Sequence, residues 1–136
     1  MGRPSKVEYY MNIAKAVSKR STCLRRQYGA VLVNGDEIIA TGYNGSPRGK
    51  ANCCDTGKCQ RGGRAHNDGD YRSCPAVHAE MNCLLSVARH DAKGAVLYLY
   101  GAEDGKTINA EPCPVCNRLL TNVGISAWIT SKEGDE

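Results

Sequence analysis

Two short segments, far apart in the chain, constrain its fold more than anything else: Pro75-Ala76-Val77-His78-Ala79-Glu80 and Pro112-Cys113-Pro114-Val115-Cys116. One histidine and two cysteines are preferred zinc ligands, and three protein ligands leave a fourth tetrahedral position open to water. His78, Cys113 and Cys116 can share one ion only if the chain folds these segments against each other. Glu80 stands two residues beyond His78, so at a helix start the two side chains need not share a direction. A carboxylate so placed stands beside the open position instead of binding the metal. The charges require such a group: two thiolates and a neutral imidazole bring Zn²⁺ to net zero, which acidifies its water less than an all-histidine site does. A neighbouring base must then move the proton. The plain alternative, a Cys/His zinc knuckle with a solvated glutamate, explains neither Glu80 nor the prolines that lead into both motifs.

Eight cysteines raise a second possibility, an exported disulfide scaffold. The Met-Gly-Arg-Pro start lacks a signal peptide's hydrophobic segment, and no apolar run approaches membrane-spanning length. Metal ligation in a reducing cytoplasm is the better reading of Cys-x-x-Cys beside histidine. The 136 residues suit one domain, 1–136, with a core large enough to need no staples. The net charge of +4 is uneven: Lys15, Lys19, Arg20, Arg25 and Arg26 crowd the early chain, and Glu133, Asp135 and Glu136 end it. That patch suits a phosphate-bearing small molecule, or it is the solvated face of a helix. With few aromatics and no binding motif, nucleic acid is not the expected partner.

Ser5-Lys6-Val7-Glu8 reads as a capping box, and Val7, Tyr10, Met11, Ala14 and Val17 recur at helical spacing to about Arg20. Strands are expected at 28–33 and 38–43, joined by an Asn34-Gly35 turn. Residues 45–75 show no periodicity, and a loop so long is normally functional or tied down; four of the cysteines lie inside it. A helix opened by His78 carries Met81, Leu84, Leu85 and Ala88 inward and ends near His90. A strand at 95–100 and a polar loop at 101–111 follow. Pro114 fits a first helical turn, so Cys113 and Cys116 begin a helix that runs to Val123 and ends at Gly124. Helix N-termini favour the thiolate that zinc needs. A strand at 125–129 completes the order α-β-β-α-β-α-β, a layered sheet with helices on its faces, and the tail frays from about 131. Cys83 reads as core, and His90 as a cap or surface residue.

The pairing of H-x-E with P-C-x-x-C is the signature of zinc nucleobase deaminases. With it, Ser21-Thr22-Cys23, Gly29-Ala30-Val31, Gly42-Tyr43-Asn44-Gly45-Ser46-Pro47 and His78-Ala79-Glu80-Met81-Asn82 resemble segments of the deoxycytidylate deaminases, in the cytidine deaminase superfamily. The resemblance runs from about Val7 to Ile129. It implies a three-layer α/β/α fold with a mixed central sheet and helices on both faces. It implies hydrolysis of dCMP to dUMP and ammonia, which supplies dUMP for dTTP synthesis. A zinc-activated water attacks cytosine C4 while Glu80 protonates N3 and then the departing amine. The backbone of Ala79 contacts the base, and Asn44 holds the deoxyribose hydroxyl. A second, structural zinc falls on Cys23, Cys53, Cys59 and Cys74; Cys54 competes with Cys53, and His66 is a weaker substitute. The family pattern also implies a homohexamer activated by dCTP with Mg²⁺ and inhibited by dTTP. That nucleotide site would fall at Gly42, Tyr43, Asn44, Gly45, Arg48, Lys50 and Arg89. The chain departs from the pattern in three features. Tyr28 replaces an aliphatic residue, the 101–111 link is long, and Glu111 stands where an aromatic is common.

Rival substrates within the same chemistry are dCTP, free cytidine and tRNA adenosine. A nucleoside enzyme needs no phosphate-binding cations, and a tRNA enzyme wants a more basic, extended surface. From another class, a zinc-dependent nucleic-acid-binding module has no use for Glu80.

Overall fold

The computed structural model describes residues 2–59 and 74–135. Helix α1 spans Lys6–Ser18; Ser5 caps it, its Oγ accepting the Glu8 N–H at 3.2 Å, while its hydroxyl also reaches the Glu8 carboxylate. Such a cap stabilises a helix by about 1 kcal/mol. Strands β1 (Gln27–Asn34) and β2 (Glu37–Tyr43) form a hairpin. Its two turn residues are Gly35 and Asp36, both at positive φ, one place later than the expected Asn34-Gly35. Asp36 holds that conformation because Lys6 Nζ and Tyr10 Oη bind its carboxylate at 3.0 and 2.9 Å.

After a short helix α2 (Cys53–Thr56), helix α3 (Ala79–Leu85) stops well before His90, and a separate turn, α4 (Arg89–Ala92), follows. The break overturns part of the expected inward face: Leu85 is 78% exposed and Ala88 is exposed, whereas Cys83 is buried as expected. Strand β3 (Val96–Glu103) runs past the expected end at Tyr100 and turns back as β4 (Lys106–Thr107), so part of the 101–111 loop is a hairpin. Helix α5 (Pro114–Val123) and strand β5 (Ala127–Thr130) close the chain.

The sheet order is β2-β1-β3, with β4 and β5 on the far side of β3. β1 is antiparallel to both neighbours, and β5 is parallel to β3, so the sheet is mixed. Period-two alternation sorts the side chains. Ala30, Leu32, Leu97 and Leu99 face one core with Ala79, Cys83, Leu120 and Ile125. Val31, Val33, Tyr98, Tyr100 and Ala102 face the other with Tyr10 and Ala14 of α1. The result is three layers, α1 on one face and α3 with α5 on the other. Ser131, where fraying was expected to begin, is fully buried: it accepts the Gly101 N–H and donates to the Ile108 carbonyl. Among the described residues no helix is long and apolar enough to cross a membrane.

Candidate active site

Helices α3 and α5 lie on the same face of the sheet and pack together, which brings the two motifs to one place. His78 is the N-cap of α3, in extended backbone, and Cys113 is the N-cap of α5, with Pro114 in its first turn. Three contacts fix the start of α3. Val77 and Gly45 exchange backbone hydrogen bonds of 2.7 and 3.1 Å, and Asn82 Nδ2 donates to the Tyr43 carbonyl at 2.7 Å. The third is the closeness of β2: a Cβ on Gly42 would lie 2.5 Å from the Ala79 carbonyl oxygen and 2.8 Å from the Cys83 nitrogen. Glycine at 42 is therefore what lets the helix of His78 lie against the strand.

His78 Nδ1 lies 3.4 Å from Cys113 Sγ and 3.3 Å from Cys116 Sγ, and the three atoms fall within 4.8 Å of one another. Edges near 3.5 Å are about what a tetrahedral ion with ordinary Zn–N and Zn–S bonds requires. The donor set and the spacing both fit zinc. The Cys113 thiolate is strongly favoured, its pKa brought down to about 3, first by the Cys116 thiol that donates to it and then by His78 and the Cys116 N–H. Cys116 moves the other way because it faces that thiolate, is buried and lies near Glu80. His78 holds its proton more firmly through its hydrogen bond to Cys113, against the effect of burial. A dication relieves this crowding of sulfur and nitrogen.

Glu80, in the first turn of α3, is 5% exposed. Burial raises its pKa, and its own backbone N–H, the His78 charge and the Cys116 thiol hold the rise back. A buried carboxyl whose proton is held more firmly than in water thus adjoins the three candidate ligand atoms.

The other expected residues are placed as follows. Ala79 is fully buried at the helix start. Asn44 is buried, and its side chain ties the neighbouring loop together: Oδ1 accepts from Tyr28 N–H at 2.8 Å and Ser21 Oγ at 2.6 Å, and Nδ2 donates to the Arg26 carbonyl at 3.0 Å. Arg48 and Lys50 are exposed in the turn after β2. Arg89 Nη2 donates to the Asn122 carbonyl at the end of α5, and no hydrogen bond among the described residues joins it to 42–50.

Cys53 is buried and Cys54 exposed, and of the two it is Cys53 whose charge acts on Cys23. Burial, and then the charges of Cys74, Cys53 and Cys59, raise the Cys23 pKa to about 12, so these four sulfurs lie in one neighbourhood. They do not reach the mutual spacing of the His78 cluster. His66 lies outside the described residues. Sequence reasoning missed the network of Arg26, Tyr28 and Glu103, in which Arg26 Nε meets Glu103 at 3.0 Å and Nη1 meets Tyr28 Oη at 3.5 Å. No spacing signal links positions so far apart, although Tyr28 was legible as a departure.

A family model of the cytidine and deoxycytidylate deaminase zinc-binding region matches residues 4–132. The deoxycytidylate deaminase of Mycobacterium phage D29 is 40% identical, over 98% of this chain and 99% of its own length. That of Schizosaccharomyces pombe is also 40% identical, over 90% of this chain, but the match spans 36% of its own length. The crystal structure of dCMP deaminase from cyanophage S-TIM5 in complex with dCMP and dUMP superposes with a TM-score of 0.70 at 27% identity, covering 96% of this chain and 83% of that one. The matched region contains every residue of the His78, Glu80, Cys113 and Cys116 cluster, and the chain belongs to the cytidine and deoxycytidylate deaminase family.

Proposed function

We propose that the protein hydrolyses dCMP to dUMP and ammonia, supplying dUMP for dTTP synthesis, with His78, Cys113 and Cys116 holding a catalytic zinc and Glu80 moving the protons. The observation that carries this reading is the buried carboxyl of Glu80 beside three converging ligand atoms. A metal-binding module without chemistry has no need of it. The relatives named deoxycytidylate deaminase support the choice of substrate, as does the S-TIM5 enzyme bound to dCMP and dUMP. Zinc at this site supplies an acidified water and polarises the reacting centre.

The chain's own residues do the rest. Glu80 takes a proton from the attacking water and gives it to cytosine N3, which makes C4 electrophilic. Glu80 then takes the second proton and passes it to the amino group, so that C4–N4 breaks as C4=O forms. One water is consumed and one ammonia leaves, with no change of oxidation state. The raised pKa of Glu80 suits a group that must be base and acid in one cycle. In this reading the Ala79 backbone meets the base, and Asn44, which gives one Nδ2 hydrogen to the Arg26 carbonyl, offers the other to the sugar hydroxyl. We read residues 1–136 as one such domain, working in the cytoplasm, where its thiols stay reduced.

A structural zinc on Cys23, Cys53, Cys59 and Cys74 belongs to the same reading, supported by the mutual charge effects on Cys23. So does control by nucleotide effectors in a homohexamer, with dCTP and Mg²⁺ activating and dTTP inhibiting through Arg48, Lys50 or Arg89. The test is steady-state ammonia release from dCMP, dCTP, cytidine and deoxycytidine, each with and without dCTP–Mg²⁺ or dTTP as effector. We expect the highest kcat/KM on dCMP, with sigmoidal kinetics that dCTP makes hyperbolic. A preference for dCTP or a nucleoside would overturn the substrate, and hyperbolic kinetics throughout would overturn the regulation.

A further inference from the structure

Tyr28 lies on the same face of β1 as Ala30 and Leu32, the face that meets α3, and packs against that core. Its strand partner is Gly101, and a Cβ there would come within 2.7 Å of the Tyr28 ring and 3.3 Å of Ala110. The missing side chain at 101 makes room for the ring. Ala110 leads directly into Pro112 and Cys113, so the ring sits where β1 meets the approach to the metal motif. Its backbone N–H donates to Asn44 Oδ1 at 2.8 Å, and burial chiefly, with smaller effects from the charges of Glu80 and Glu103, disfavours the phenolate, while Arg26 favours it. Tyr28 is only partly buried.

The hydroxyl is anchored without being used up. Arg26 Nη1 donates to its oxygen, and Glu103 holds the Nε edge of the same guanidinium. The phenol's own hydrogen has no acceptor among the described residues. A phenol whose oxygen already accepts from a cation is a stronger donor, and the remaining guanidinium N–H groups lie beside it. A donor pair of this kind is matched by an anionic oxygen.

We infer that Tyr28, with Arg26 behind it, is a specificity residue of the deaminase site that donates its hydroxyl to a phosphate oxygen of the nucleotide. The inference rests on the nucleotide-deaminase reading above. It gives Tyr28 a role that an aliphatic side chain at this position cannot fill, and it makes phosphate recognition partly a property of β1.

The experiment compares dCMP with deoxycytidine in the zinc-loaded parent, Tyr28→Phe and Arg26→Gln, with zinc content and melting temperature measured on each. Loss of a hydrogen bond to a charged group predicts that Tyr28→Phe raises KM for dCMP about tenfold with kcat little changed. The same change should reduce kcat/KM for deoxycytidine far less, so the ratio of the two specificity constants falls about as much as the KM rises. Arg26→Gln, which keeps the phenol and removes the cation, should lower the same ratio. An equal loss on both substrates would make Tyr28 a packing residue and overturn the inference, as would an unchanged dCMP preference in both variants. Absence of deamination of any cytosine substrate by the zinc-loaded parent would instead overturn the reading on which it rests.

Discussion

A group that must take and return protons within one turnover has to be available in both charge states, and the surroundings of Glu80 act on it in both directions, with burial the largest effect and a raised pKa the result. Burial disfavours the carboxylate, and the His78 charge and a backbone N–H favour it. Glu80→Gln keeps the volume and the hydrogen-bonding edge but cannot exchange the proton. We expect it to retain zinc and bind dUMP while kcat falls by about 10²–10⁴-fold or more, because one group serves both transfers. Single-turnover assays with elemental analysis on the same sample check this, and a near-normal kcat would remove Glu80 from the chemistry. Cys83 shows that a cysteine close to this centre can be inert. Its thiol is buried, donates to the Ala30 carbonyl at 3.5 Å, and has its pKa raised to about 12, chiefly by burial and then by Glu80. Position relative to the helix start, not residue type, separates ligand from core.

At the scale of elements, the site is two helix beginnings pressed to one face of a sheet, and β2 sets how closely the first can lie. Gly42→Ala would put a methyl against the Ala79 carbonyl and the Cys83 nitrogen, both backbone atoms that cannot rotate away. Overpacking of this kind costs about 1–3 kcal/mol, and here the displacement falls on the turn that carries His78 and Glu80. The expected result is a lower melting temperature together with weaker zinc retention, read by competition with a chelator. Conversely, Leu85→Ala, at an exposed position, should leave both unchanged. The same contrast explains what could be read from sequence. The capping box, the hairpin strands and the helix that starts at Pro114 follow local rules, and they stand where those rules put them. The end of α3 did not, because nothing local at Ser86 or Val87 announces a break, and Leu85 continued the apolar rhythm. The β3–β4 hairpin was hidden for a different reason: Gly101 to Glu103 lack the apolar signal of a strand and are held by pairing with β1 and β4. The ligand cluster was legible because metal chemistry restricts residue type and spacing at once, whereas the Arg26–Tyr28–Glu103 network depends on a strand register that no short pattern encodes.

The whole molecule depends on how its early chain and the segment just before His78 are tied together. Cys23 follows α1, Cys53 starts α2, and Cys74 stands four residues ahead of His78, so a cation shared by these sulfurs with Cys59 would connect the first layer to the approach of the catalytic helix. Backbone pairing already draws these parts together, since Cys54 N–H donates to the Thr22 carbonyl at 3.0 Å and Gly45 pairs with Val77. Without a cation, burial and then the neighbouring sulfurs disfavour the Cys23 thiolate, the form that a metal ion needs. Ligand deprotonation and ion binding would then contribute directly to folding. We therefore expect two zinc ions per chain in the parent and one in Cys74→Ser, with a melting temperature that falls by many degrees and becomes sensitive to chelator. Glu80→Gln should keep both ions, and Cys113→Ser should lose the other one with a smaller effect on stability, because its ligands already sit on packed helices. Since Cys74 precedes the His78 turn, its loss should also raise the KM for dCMP by loosening the helix start. A single zinc in the parent, undisturbed by Cys74→Ser, would leave backbone pairing and the two cores as the whole of what holds the layers together.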